Sequence, residues 1–316
     1  MLPDTFRCPL CKGPLMQTKI DVQCETCDHV YEIPASIPDF YIAEGESTIR
    51  ADDQNRKWLD DQVVEGRDLY YDHCTRELPG MSFCMDEIGR RTFAGCRILE
   101  VGSGTGHFTR WLAEVCQPGT EIYTFDFSWP CIEKTRAKIG NSPGLTLFRA
   151  NARAPLPFAD ETFDVILQRL APFNPSGASP EEKTHRTLDL LKPGGWHIFA
   201  GWGVEYTTCK ELIRQGFARA EHHRWEYPYI FAGEEYLGGL VEELGSFTQA
   251  KELLAGRLTA ANSGKAEYLR YLVEREGRSS KEAEQIWREA QPLSDPDGSF
   301  IRLRKEHLYM AQKPEA

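Results

Sequence analysis

The sequence predicts a doubly wound α/β fold, a parallel sheet of seven strands covered by crossover helices. Strand-like and helix-like segments alternate from Gly95 onward. A glycine turn joins the first strand to the first helix, and an acid closes the second strand. Two additions frame this sheet: a small four-cysteine module at the N-terminus and a helical insertion before the last strand.

The first strand covers 97–101. The next helix, 107–116, sets Phe108, Trp111, Leu112 and Val115 at i, i+3, i+4 and i+7, a single apolar stripe. Strands follow at 121–127, 145–149 and 163–167. Ser179 and Pro180 open a helix over 181–191, Gly194 and Gly195 lie beyond it, and a fifth strand takes 196–200. A helix at 208–215 and a strand at 217–225 continue the alternation, which then breaks. Within 233–298, Tyr236, Leu237, Leu240, Val241 and Leu244 lie on one helical stripe and Tyr268, Leu269 and Leu272 on another. Ser279 and Glu282 make a capping box ahead of Ile286 and Trp287. The final strand is 300–310. The expected organisation is therefore a module at 1–42, a helical linker or lid at 43–94, the main domain at 95–232, the insertion at 233–298 and a closing segment at 299–316. The insertion either roofs an acceptor site or makes a homodimer.

A chain of 316 residues, 41% apolar and 27% charged, buries a full core as a globular protein does. No run approaches the ~20 apolar residues of a membrane helix. Residues 1–10 lack the basic and apolar regions of a secretory signal, so the expected location is cytoplasmic. A formal charge of −11 disfavours a polynucleotide partner, which phosphate contacts would match to a basic face.

Cys8, Cys11, Cys24 and Cys27 form two CxxC turns. Each turn aims two thiolates at one tetrahedral ion, and four sulfurs leave no open position, so the predicted Zn2+ is structural. His29 is the alternative to Cys27 as fourth ligand. A redox pair would need only one such turn and a βαβ setting. The lone cysteines Cys74, Cys84, Cys96, Cys116, Cys131 and Cys209 fit free thiols in a reducing compartment.

Glu100, Gly102, Ser103, Gly104, Thr105 and Gly106 form the strand-to-helix turn. Glycines there let the chain turn sharply and let a ligand approach the main chain. Asp126, at the end of the next strand, lies where an acid meets ribose hydroxyls in such folds. The spacing of glycines at 102, 104 and 106 differs from that of the dinucleotide turn and suits a ligand without pyrophosphate.

These residues resemble the class I S-adenosylmethionine (SAM)-dependent methyltransferases, over about 95–225 and the last strand. Residues 100–106 look like their first motif, and Asp126 with Phe127 like their ribose-binding strand end. Asn151 and Ala152, followed by Leu156, Pro157 and Phe158, look like their adenine loop, with Asn151 where the family usually has Asp. Segments 163–166 and 191–195 match two more. The resemblance implies a seven-stranded Rossmann-like methyltransferase sheet, S-adenosyl-L-methionine as cofactor, and Gln168 against its methionine part. The N-terminal module resembles the zinc-ribbon activator of tRNA, rRNA and release-factor methyltransferases, here fused in cis. It is also similar to the ribbon of bacterial rRNA guanine methyltransferases, as is the segment from Arg169 to Phe173, although a cysteine is common there at Phe173 and that ribbon ends in His.

Methyl transfer is an in-line displacement that needs alignment and a dry pocket, and a base only where the acceptor must lose a proton. The weak catalytic candidates are Tyr70 and His73, read as lid and base or as solvated helix residues, and Arg169, read as facing an anionic acceptor or as a surface ion pair. Trp202, Tyr206, Trp225, Tyr227 and Tyr229 line an acceptor pocket or form core. The expected activity is SAM-dependent methylation of a small molecule; the alternative is an rRNA or tRNA base methyltransferase with an RNA-facing ribbon.

Overall fold

Strands of a parallel sheet are covered on both faces and read as nearly continuous apolar runs. The first, β4 (Arg97–Val101), is buried at all but its first residue. In the computed structural model, the structure describes residues 2–42, 79–169, 180–201, 208–232, 242–246, 265–290 and 299–316, with positions 249, 253, 256, 257 and 260. Before β4 come three short strands, β1 (Leu15–Gln17), β2 (Asp21–Cys24) and β3 (Val30–Glu32), and helix α1 (Pro79–Arg91). After it follow α2 (His107–Val115), β5 (Glu121–Asp126), α3 (Trp129–Ile139), β6 (Leu145–Arg149) and β7 (Phe163–Arg169). Then come α4 (Pro180–Leu190), β8 (Leu191–Gly201), α5 (Cys209–Arg214), β9 (Arg219–Ala232), α6 (Lys265–Glu274), α7 (Ser280–Ala290) and β10 (Ser299–Gln312).

The large sheet has the order β6-β5-β4-β7-β8-β10-β9, seven strands as expected. β4 lies parallel to β5 on one side and to β7 on the other, so the chain reverses its progress across the sheet at β4. A doubly wound sheet binds ligands in the crevice outside the carboxyl ends of its strands at such a switch. β8 begins at Leu191, five residues earlier than the sequence suggests. It pairs Phe163 with Leu191 and resumes at Val165 and Trp196, so an irregularity absorbs Pro193, Gly194 and Gly195 inside the strand. β9 likewise runs past Trp225, to Ala232.

Two compact units make up the described chain. One runs through Met1–Asp68, Cys84–His223 and Leu308–Ala316, the other through Leu69–Phe83 and Arg224–His307. In the second unit, Tyr268 of α6 meets Trp287 of α7 at 5.9 Å between rings, above buried Leu272 and Ala283. Ser279 accepts from Glu282 N–H at 3.2 Å while the Glu282 carboxylate accepts from Ser279 N–H at 2.8 Å, the expected capping box. The 236–244 stripe falls largely outside the described residues, as do Tyr236, Leu237, Leu240 and Val241.

In the first unit the core runs unbroken from the N-terminal module into the sheet. Phe6 packs against Phe40, Phe148, Phe158 and Tyr123 with ring centroids 5.1–5.9 Å apart. Phe6 is 2% exposed, and burying such a ring contributes roughly 1.5–3 kcal/mol. No helix among the described residues is long and apolar enough to cross a membrane.

Candidate functional site

The site is built at the carboxyl ends of β4 and β5. Ser103 N–H donates to Phe125 O at 2.8 Å, which pins the turn to the neighbouring strand. Gly104 N–H then donates to Asp126 Oδ2 at 3.0 Å, and Ser128 N–H donates to Asp126 Oδ1 at 3.0 Å. The glycine turn and the strand-end acid therefore meet directly, with the carboxylate held from both sides and 5% exposed.

Two glycines of the turn have different reasons to be glycine. Gly106 (φ +83°) precedes α2, and a Cβ there would lie 2.7 Å from Thr135 Cα of α3. Gly104 (φ +52°) would meet nothing within 4 Å. Open space over a left-handed residue beside a carboxylate is what close ligand approach to the backbone requires. The residues present therefore fit an adenosyl ligand: a main-chain turn with open space over Gly104, a helix start and a carboxylate for vicinal hydroxyls.

Glu100 sits in the buried interior of β4, 3% exposed. Thr109 and Thr124 hydroxyls donate to its Oε2 at 2.7 and 2.6 Å. Burial pushes its carboxyl up to about 7, with the Asp126 charge acting in the same direction and the two threonine bonds opposing. Its side chain braces α2 and β5 from beneath the turn. Thr135 Oγ1 donates to Gly104 O at 3.0 Å and lies 3.3 Å from Ser103 Oγ. Lys138 Nζ lies 2.5 Å from His107 Nε2 and 3.5 Å from Thr105 Oγ1.

On the far side of β5, Asn151 follows β6. Its Oδ1 accepts from Arg153 N–H at 2.9 Å and its Nδ2 donates to Ile42 O at 3.3 Å. Arg186 of α4 holds the same loop by donating to Ala152 O at 2.9 Å and to Ala154 O. Phe127, half-buried, offers its carbonyl to Arg149 Nε at 2.9 Å. Gln168 and Arg169 end β7, with Gln168 in register with Val101. Arg169 Nε is buried with no hydrogen-bond partner among the described residues. Tyr70, His73, Trp202, Tyr206 and 170–173 lie outside the described residues. By contrast Asp164 works at the opposite end of β7, accepting from Arg97 N–H at 2.8 Å and Lys192 Nζ at 2.7 Å, a purely architectural tie.

The four cysteines converge. Their sulfurs lie within 4.8 Å of one another, with Cys8–Cys27 at 3.7 Å and Cys11–Cys24 at 3.4 Å. A tetrahedron with ~2.3 Å zinc–sulfur bonds has edges of about 3.8 Å, so the set fits Zn2+. The two turns repeat one geometry. Lys12 N–H donates to Cys8 O and Asp28 N–H to Cys24 O, at 2.7 and 3.1 Å, and both donors are left-handed at φ 60°. His29 packs against Tyr31 with the rings tilted and 4.6 Å apart, and it is not among the clustered ligand atoms. The other described cysteines, Cys84, Cys96, Cys116, Cys131 and Cys209, form no disulfide.

Sequence reasoning missed Thr135, Lys138, Arg149 and Arg186, and the role of Lys12. Each reaches a partner more than thirty residues away in the chain or on a neighbouring element, so no local spacing signals it.

The strand order and the turn at its switch point make the sheet Rossmann-like. Residues 98–195 match the family described as a methyltransferase domain. The chain is 32% identical over 188 residues to the ubiquinone/menaquinone biosynthesis C-methyltransferase UbiE of Geobacter sulfurreducens, covering 56% of this chain and 66% of that protein. It is 33% identical over 128 residues to the ubiquinone biosynthesis O-methyltransferase of Ruegeria pomeroyi, covering 40% and 49%. It thus spans half to two thirds of the length of these curated relatives. Among solved structures, phosphoethanolamine N-methyltransferase 2 of Haemonchus contortus, in complex with S-adenosyl-L-methionine, aligns at 17% identity and TM-score 0.42, covering 75% of this chain and 54% of that one. The family match lies outside the four-cysteine module.

Proposed function

We propose that the chain is an enzyme that transfers a methyl group from SAM to a small-molecule acceptor, and that its N-terminal ribbon holds one structural zinc. The observation that carries this reading is the 3.0 Å bond from Gly104 N–H to Asp126, which brings turn and carboxylate to one site below open space. SAM, when bound, supplies an electrophilic methyl group whose leaving sulfur needs no acid. The protein's own residues bind and align. Asp126 accepts the ribose hydroxyls, the turn 102–106 lies along the ligand, and Asn151 with Ala152 borders the adenine. Phe127 flanks the ribose side, and Gln168 reaches the methionine part. Alignment of this kind is worth ~7–11 kcal/mol of barrier.

Arg169, whose buried Nε has no hydrogen-bond partner among the described residues, faces an anionic group of the acceptor. Tyr70 and His73 are the candidates for lid and base. The names of the relatives support a small acceptor, as does the charge of −11. Two of the ribbon's three cationic side chains support it too. Lys12 Nζ is spent on the carbonyls of Leu156 and Phe158, both at 3.0 Å, and Arg7 on those of Asp4 and Phe6, at 2.6 and 2.8 Å. These two cations are engaged by main-chain carbonyls of this chain, and Lys19 alone is left exposed without such a bond among the described residues. The enzyme on this reading works in the cytoplasm.

Incubation with methyl-labelled SAM tests the assignment. Label should pass to a component of a small-molecule extract; label passing to ribosomal RNA alone would overturn the acceptor class.

A further inference from the structure

We propose that Arg149 is a positioning residue for the adenosine side of the cofactor site, held in place from the ribbon by Asp39. The inference rests on the SAM reading above.

Arg149 ends β6 in register with Asp126. Its backbone is gripped by the segment leaving the ribbon: Arg149 N–H donates to Pro38 O at 2.9 Å, and Phe40 N–H donates to Arg149 O at 2.8 Å. This pairing adds one parallel bridge, Asp39 with Arg149, to the sheet edge. The guanidinium then connects three pieces. Nη1 donates to Asp39 Oδ2 at 2.9 Å, and Nε donates to Phe127 O at 2.9 Å. Its Cζ lies over the Tyr41 and Trp129 rings, 4.4 and 5.3 Å from their centroids.

Both ends of the predicted adenosine site are thereby tied to the ribbon's exit. Phe127 and Trp129 bracket Ser128, whose N–H orients the Asp126 carboxylate. Ala150 N–H donates to Asp126 O at 3.1 Å, and the next residue, Asn151, donates to Ile42 O. The Arg149 side chain is 10% exposed and that of Asp39 18%, so the charge pair is little screened by water. A planar fork that both bonds and stacks is specific to arginine. A lysine ammonium reaches one oxygen as a point charge and cannot stack in the same way. A bridge that only held the ribbon on would alter stability alone. One placed here sets the angle at which Asp126 and Asn151 face the ligand.

The test is calorimetric titration of S-adenosylhomocysteine (SAH) and of 5′-methylthioadenosine into the zinc-loaded full chain, as wild type, Arg149→Lys, Asp39→Asn and Asp39→Glu. Loss of one charge-assisted bond predicts roughly tenfold weaker SAH binding in Arg149→Lys and Asp39→Asn. The same loss should appear with methylthioadenosine, which lacks the amino-acid part, and Asp39→Glu should restore most of it. Melting curves confirm that each variant is folded at the titration temperature. A wild type that binds no SAH defeats the methyltransferase reading and this inference with it. A wild type that binds, with Arg149→Lys and Asp39→Asn unchanged in affinity, defeats the positioning role alone, as does a loss confined to SAH.

Discussion

Gly104 and Gly106 should respond oppositely to the same methyl group. Both are left-handed, so an alanine at either costs on the order of 1 kcal/mol in backbone strain. At Gly106 the new Cβ also lies 2.7 Å from Thr135 Cα, a backbone atom that moves only with helix α3. Overpacking of that kind adds roughly 1–3 kcal/mol. At Gly104 the space is open, and no packing cost is added. Gly106→Ala should therefore melt below Gly104→Ala by about 2–12 °C, at about 2–4 °C per kcal/mol for a domain of this size. Affinity should single out the other position: Gly104→Ala, about 1 kcal/mol less stable than wild type from strain alone, should bind SAH at least about tenfold more weakly, because its methyl occupies the ligand's approach. Differential scanning fluorimetry and calorimetry on the two variants check both halves. Equal melting temperatures would refute the packing argument, and unchanged SAH affinity in Gly104→Ala would refute the placement of the ligand.

Glu100 makes stability depend on pH. Its folded carboxyl titrates near 7 against an ordinary 4.5, so the folded state holds the extra proton between these values and stability falls as pH rises through that window. The loss is roughly 3 kcal/mol by pH 7, and it should be absent from the difference in melting temperature between pH 5 and 7.5 for Glu100→Gln. The ribbon should contain one zinc per chain by elemental analysis. Chelation should raise amide exchange across 2–33 before it does so in β4, because the module's own core is too small to persist without the ion; a metal-free, fully protected ribbon contradicts the site. Lys12→Met should lower the melting temperature by a few degrees, since the two carbonyls it bonds lose charge-assisted partners worth about 1.5–3 kcal/mol. An unchanged melt would mean that Lys12 is dispensable to docking.

How much of this was legible depends on whether the signal is local. The apolar stripe of α2, the cysteine turns and the glycine-to-acid spacing each lie within a few tens of residues, and each marks an element or cluster that the structure forms. The start of β8 was not legible, because Pro193, Gly194 and Gly195 read as loop residues while the strand accommodates them as an irregularity. The union of ribbon and sheet was equally hidden. It rests on Phe6, Asp39 and Lys12 meeting Phe158, Arg149 and Leu156, partners more than a hundred residues away. Glu100 reads as part of a ligand turn, yet its carboxylate is satisfied by Thr109 and Thr124; only the register of β4 with β5 reveals that.

The most direct measurement is titration of SAH into the wild-type chain and into Asp126→Ala, each shown to be folded by circular dichroism. The account predicts saturable one-to-one binding by the wild type and a loss on the order of a hundredfold or more when the carboxylate is removed, since two charge-assisted bonds to the ribose go with it. Equal affinity in the two proteins, or none in either, would contradict it.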